Sequence, residues 1–510
     1  MKGVSLPPVT TDFAVATPAA PQAAKASSLG RRVRNGLEAL FPIAPRRALS
    51  RRDIWLGIAV VVVAAAVCLL RVTGTGALQS IWQEDGNDLL TAAYYRTGAK
   101  TIFDPMNGYY LLGSRWFGVL AAFFPVSWAA AVLSISSALV LGLMVLLVYI
   151  ATGAHLSSKL ARFMVTVPLL IAPVAENNHN EVYARPVCLH LFALYMVFWV
   201  LLWAPEKRIS KIVAVAAVGL TAASTILTIV FIPLALLRVF VRRDRTGMAL
   251  LGVLVVFAAA NLVLMQNGTV AARGGVMYPE PMVALLDYVV WGLPTSMLGY
   301  SATSGLGAFH FPTAWDADLW GTVKPHLPLI VLSWVMVLGI VGLAAIRRFT
   351  RPSWPLAAAA LTHSVAMLCM MVMAQGNELR YLIPVELLLF AGLVALLLPI
   401  AKGRSFARAN APLIAFAVFL AVIGAINFRW DDTYRGHAPR WTDQVHKAAV
   451  VCKTRPEVRE VLVRSAPEPW GSVIHVPCHR LTEVRPWDCV EPRCVPINGM
   501  GLPDAIERRP

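Results

Sequence analysis

Eleven apolar runs recur along the chain, at 54–72, 127–151, 160–175, 186–204, 211–225, 226–240, 247–265, 328–346, 355–374, 381–400 and 411–427. About 20 predominantly apolar residues are needed to cross the hydrocarbon of a bilayer. Inside lipid every backbone N–H and C=O must be satisfied within the protein, so runs of this kind form helices. Of the 510 residues 57% are hydrophobic and 14% charged, more apolar surface than a soluble globule of this length buries. The predicted fold is all-α and polytopic, with about eleven transmembrane helices. The pair 211–225 and 226–240 could also be read as one long tilted helix.

Charge decides between those two readings. With the N-terminus inside, the connections at 157–162, 205–211, 238–245, 347–351 and 402–408 all become cytoplasmic, and all are basic. Merging 211–240 would put basic loops on both sides. The net charge of +17 therefore orients helices. No basic face interleaved with aromatics is present, so nucleic acid is not an expected partner. Residues 1–50 are polar, then basic, and predict a disordered cytoplasmic tail. Residues 51–427 form the membrane domain, with long outer loops at 73–126 and 266–327, and 428–510 a small extracytoplasmic domain. That tail holds Cys452, Cys478, Cys489 and Cys494. Four cysteines in an oxidising compartment suggest two disulfides, with three pairings open; zinc is the competing reading, without the paired CxxC spacing it favours.

Polar residues gather on the outer side. The stretch IWQEDGND (81–88) places Glu84, Asp85 and Asp88 just beyond the first span. Helix capping by Asp85 or Asn87 would account for part of it. The second outer loop, APVAENNHNEVYARP (172–186), contains Asn178, Asn180, Glu181 and Arg185, a density of hydrogen-bonding groups that a plain turn does not need. A third connection, QGNELRY (375–381), ends in Arg380 and Tyr381, with Glu386 deeper in the following span. An intramembrane carboxylate costs roughly 2.5–3.5 kcal/mol unless paired or wet, so Glu386 is expected to face the interior. His190 and His363 read as packing residues. Loop 266–327, with Arg273, Asp287, Trp291 and His310, reads as a lid or re-entrant element. Acids, amides and arginines at an aqueous–lipid boundary suit base-assisted attack by a hydroxyl, with arginine holding a leaving phosphate.

The EDG at 84–86, the stretch PMNGYYLLGSRWFGVLAAFFP (105–125), NNHNEVY (177–183) and Arg380–Tyr381 resemble the GT-C superfamily of membrane glycosyltransferases. The resemblance covers most of 54–427. It implies inverting transfer of a hexosyl or pentosyl group from a polyprenyl-phosphate sugar to a hydroxyl of a glycan, lipid or protein, outside a bacterial plasma (inner) membrane. Asp85, followed by Gly86, is the favoured base, with Glu84 and Asp88 as alternatives. Asp88, Asn178, Asn180, Glu181, Arg185, Arg380 and Tyr381 would contact substrate, with Arg380 or Arg185 on the lipid phosphate. Glu181 or Glu84 would help position a divalent cation, Mg or Mn, where one is needed. An O-antigen polymerase or ligase, with Arg273 and His310 in the large late loop, and a lipid-linked oligosaccharide flippase are the alternatives. A flippase would carry charge through the middle of several spans.

Overall fold

The computed structural model describes residues 34–44, 50–95, 99–106, 109–174, 182–265, 281–304, 321, 323–373, 379–400, 406–429, 433–467 and 471–482. Helix α1 (Arg51–Leu70) starts three residues before its apolar run. Ser50 and Asp53 form a reciprocal cap there: Ser50 N–H donates to the Asp53 carboxylate at 3.0 Å, and Asp53 N–H donates to Ser50 Oγ at 3.1 Å. Then come α2 (Leu112–Ala122), α3 (Ala129–Ala151), α4 (Lys159–Thr166), α5 (Leu189–Leu202), α6 (Arg208–Ala222), α7 (Ile232–Arg242) and α8 (Arg245–Leu264). The stretch Pro281–Leu298 is α9, followed by α10 (Leu327–Ile346), α11 (Trp354–Met373), α12 (Leu382–Leu396), α13 (Phe406–Ile426) and α14 (Trp441–Thr454). Strands β1 (Glu460–Arg464) and β2 (Val473–Pro477) form an antiparallel pair, followed by a short helical turn at His479–Thr482.

Eight helical stretches among the described residues are long and apolar enough to cross a membrane, α9 among them. This part of the large loop 266–327 is thus a helix packed against α10 and α11, where the sequence pointed to a lid or re-entrant element. Between α6 and α7 the chain breaks. Thr225 is extended, at φ −161°, and its hydroxyl accepts from Leu227 N–H at 3.3 Å. The 211–240 stretch is therefore two helices. Asn261 of α8 seals the break, donating to the Ala222 carbonyl and accepting from Tyr110 N–H at 2.8 Å.

Helices α5 and α12 form the interior. Every residue of α12 is buried, as is every residue of α5 except the half-buried His190. Phe231 stacks on His363 at 5.3 Å between ring centres, which makes that histidine a packing residue. Peripheral helices present apolar side chains outward: Trp55 of α1 is 70% exposed. A lipid surround makes that arrangement favourable.

The two ends of α5, about 21 Å apart at 1.5 Å per residue, separate the two faces. At its C-terminal end the 34–44 segment docks, with Ala44 N–H donating to the Ala204 carbonyl at 3.1 Å. Arg238 caps the same end through the Val200, Leu201 and Trp203 carbonyls, and Arg351 N–H meets the Leu398 carbonyl beside α12. The basic connections adjoining these contacts thus lie together. The carboxylates of 84–88 lie at the opposite, N-terminal end of α5.

Candidate functional site

Residues 83–95 are helical, with one widened turn over Asp85–Leu90 in which Thr91 N–H reaches back to the Gly86 carbonyl. Such turns often mark functional positions, because the inserted residue re-aims its neighbours. Helix α2 packs directly on this turn. A Cβ on Gly118 would lie 2.5 Å from the Leu89 carbonyl oxygen, so glycine permits the approach. Three residues earlier on the same helix, the Arg115 guanidinium donates to the Asp88 carbonyl.

Arg185 joins the second loop to the first. Its Nε donates to Asp85 Oδ2 at 3.0 Å and its Nη2 to Glu84 Oε2 at 2.7 Å. Val187 N–H occupies the other Asp85 oxygen at 3.1 Å. Trp82 lies 5.1 Å beneath the guanidinium. From the start of α12, Arg380 reaches within 3.7 Å of Glu84 Oε1, with its own guanidinium 5.5 Å over the Tyr381 ring. Arg185 and Asp85 are buried; Glu84 is partly open.

Two further buried arginines hold this scaffold. Arg435 donates to Ser80 Oγ at 3.0 Å and to the Tyr183 carbonyl at 2.9 Å, fixing the chain just before Ala184, a non-glycine residue at φ 54°. Arg71 stacks on Tyr183 at 4.2 Å and donates to the Leu170, Ala172 and Asn427 carbonyls. Glu386 accepts from Val174 N–H at 3.2 Å. It therefore anchors the 170–174 segment that Arg71 also grips.

The carboxylates behave differently. Burial pushes Asp85 upward against the pull of Arg185 and the Val187 amide. Burial also acts to raise Glu84, but Arg185 and Arg380 outweigh it and hold its carboxyl below the ordinary value. A depressed folded pKa contributes stability that is present above the unfolded value, near 4.3 for Glu, and is lost as pH falls through the folded one. Glu84→Gln is accordingly expected to melt earlier than wild type at pH 7, with the gap closing below about pH 4. Thermal unfolding in detergent at the two pH values checks this; a gap that persists at the lower pH would contradict it.

Asp88 lies about one turn beyond Glu84 and opens on a different space. A cavity of about 520 Å³ is lined by Asp88, Thr91, Asp104, Arg115, Glu460 and His475, among others. The structure thus brings Glu84, Asp85, Arg185, Arg380 and Tyr381 into one cluster and sets Asp88 beside it in the cavity wall. Asn178, Asn180 and Glu181 lie outside the described residues, as do Arg273, His310, Cys489 and Cys494. Cys452 and Cys478 form a disulfide with Cα atoms 5.4 Å apart. Among the described residues, no three His, Cys, Asp or Glu side chains are grouped as metal ligands.

Sequence reasoning missed Thr91, Asp104, Glu460 and His475. Arg115 was inside the quoted 105–125 stretch without a role, and Asp104 directly precedes it. Nothing in the pattern of the tail linked Glu460 or His475 to a site 365 positions upstream, where Glu460 meets Tyr95.

The chain is a multi-pass helical membrane protein. No protein-family model matches it, and no curated protein does. Among solved structures it is similar to the crystal structure of the Archaeoglobus fulgidus oligosaccharyltransferase tethered with an acceptor peptide containing the NVT sequon via a disulfide bond. That match has 14% identity and a TM-score of 0.39, and covers 85% of this chain. It spans 59% of the archaeal chain.

Proposed function

We propose that the protein is a GT-C-type membrane glycosyltransferase that moves one sugar from a polyprenyl-phosphate carrier to an acceptor hydroxyl. The observation that carries the reading is the pairing of an arginine cluster with an adjacent carboxylate-lined cavity at one face of the helical bundle. Glu84 and Asp88 are four residues apart, close to one helical turn, so groups held at each are neighbours. Arg380 is partly exposed beside Glu84, where a phosphate can compete for it. The basic connections at the other end of the bundle support a cytoplasmic face there, and with it a site on the outer side of a bacterial inner membrane.

In this mechanism Asp88 is the base. Asp85 was favoured from sequence, but both of its oxygens are engaged by Arg185 and Val187 and its side chain is buried. The Asp88 carboxylate takes the acceptor O–H proton as the oxygen bonds to the anomeric carbon from the face opposite the phosphate. The anomeric C–O bond breaks, its electron pair leaves on the polyprenyl phosphate, and Arg380 stabilises the charge that develops there. Configuration inverts.

The test is transfer in nanodiscs from a panel of radiolabelled polyprenyl-phosphate sugars, with cell-envelope extract as acceptor. Wild type is expected to move label from at least one donor. Arg380→Ala is expected to lose about 10–150-fold in kcat/KM, the equivalent of about 1.5–3 kcal/mol for a charge-assisted hydrogen bond. Folded protein that transfers from no donor would overturn the reading.

A further inference from the structure

The β1–β2 hairpin has the alternation of a strand pair with one buried face. Val461, Val463, Ile474 and Val476 point inward and are almost wholly buried. Ile474 packs on the acidic loop itself: a Cβ on Gly86 would lie 2.4 Å from its Cδ1. A larger residue after Asp85 would require the Ile474 side chain to move. Ala466 N–H donates to the Ile81 carbonyl at 2.8 Å, and Trp441 of α14 donates its indole N–H to the Val126 carbonyl at 2.7 Å. The described tail is thus continuous with the membrane core.

The other face of the hairpin supplies part of the cavity wall. Leu462 pairs with His475, which makes Glu460 the diagonal neighbour of that histidine. His475 Nδ1 lies 3.3 Å from one Glu460 oxygen, and the Tyr95 hydroxyl donates to the other. Burial, then the Glu460 carboxylate, push the Tyr95 phenol upward, so it remains a donor. His475 N–H donates to Thr91 Oγ1 at 3.2 Å, and that hydroxyl donates to the Gly86 carbonyl at 3.1 Å. The Cys452–Cys478 disulfide begins one residue past β2 and ties the hairpin to α14. The wall is built into position from both sides.

We propose that this hairpin wall, through Glu460 and His475, is the specificity determinant of the acceptor subsite, selecting a neutral or amino-bearing saccharide over an anionic one. The inference rests on the transferase reading for the word acceptor, and on the cavity alone for its selectivity. Asp88, Asp104 and Glu460 bring three carboxylates to one cavity; Arg115 brings one guanidinium, and that group is engaged with the main chain at Asp88. Counting the carboxylates and the guanidinium alone, the lining charge is one minus three, or −2. Carboxylates accept from vicinal hydroxyls and attract ammonium groups, whereas a uronate or phosphate would meet like charge. In the proposed reaction the donor phosphate is taken by Arg380 in place of Glu84, so the two substrates are sorted by charge to adjacent positions.

The test measures binding directly, without transfer. Short oligosaccharides of neutral hexose, of deacetylated amino sugar and of uronic acid are titrated against the detergent-solubilised full chain by microscale thermophoresis. Wild type is expected to bind the uronic series at least about tenfold more weakly than the neutral one. Glu460→Lys is expected to shrink or reverse that ratio, Glu460→Gln to shift it part-way, and His475→Gln to weaken neutral binding at an unchanged melting temperature. Equal binding of uronic and neutral saccharides, a ratio that Glu460→Lys leaves unmoved, or no saccharide binding at all would each overturn the proposal. Selective binding without transfer from any donor would leave this inference standing and remove the reaction; transfer without selectivity would do the reverse.

Discussion

Arg185→Ala is expected to cost about 3–5 kcal/mol of stability, because it strips the buried Asp85 of its ion-pair partner and leaves that carboxylate uncompensated. The guanidinium also bridges two loops, with Glu84 and Asp85 from the first and Val187 close by in the second. Arg185→Lys is expected to recover little, since a single ammonium cannot serve both carboxylates with the planar fork that arginine provides. The double variant Asp85→Ala/Arg185→Ala is expected to be more stable than Arg185→Ala alone, because the orphaned charge is gone along with its partner. Thermal unfolding of the four proteins in one detergent decides it. If Arg185→Ala melts with wild type, or if the double variant melts below Arg185→Ala, the buried pair is not what holds the loops together.

The membrane architecture was legible because its cause is local. A run of apolar residues long enough to cross lipid must be helical, and the basic connections that the sequence assigns to one side adjoin the 34–44 segment and Ala204 in the structure. Thr225 is an example: charge alternation demanded a break in 211–240, the apolar runs meet at 225/226, and there the backbone is extended and the Thr225 hydroxyl caps the next turn. Helix α9 was harder to read. Pro281, Pro294 and a polar Asp287 interrupt its apolar pattern, and its burial against neighbouring helices compensates for the weak hydropathy. The acids at 84–88 could be located but not ranked. Which carboxylate turns inward depends on Arg185, a hundred residues away, and on the widened turn that begins at Asp85. The cavity's far wall was invisible for the same reason. Glu460 and His475 acquire meaning only through strand register and the packing of Ile474 on Gly86, neither of which leaves a local signature.

Asp88→Asn separates the two carboxylates by role, and its expected result is a fall in transfer of about 10²–10⁴-fold, the usual worth of a positioned base. Stability should change less than it does for Asp85→Asn, because the amide keeps the shape of a half-buried side chain and leaves the main-chain carbonyl that Arg115 binds in place. Asp85→Asn should show the opposite signature. Its amide cannot accept on both sides as the carboxylate does, so the pairing with Arg185 and Val187 is weakened and the protein melts earlier. Activity per folded molecule should then stay within the range of wild type, once the folded fraction is measured on the same sample. Single-turnover transfer at saturating donor, paired with melting curves, distinguishes the cases. A folded Asp85→Asn protein with no transfer, beside an active Asp88→Asn, would return the base to Asp85 and require the 84–88 turn to open when substrate binds. Loss of transfer in both, with melting curves unchanged, would mean that the two carboxylates act together and that the inward pairing of Asp85 is exchanged for substrate during turnover.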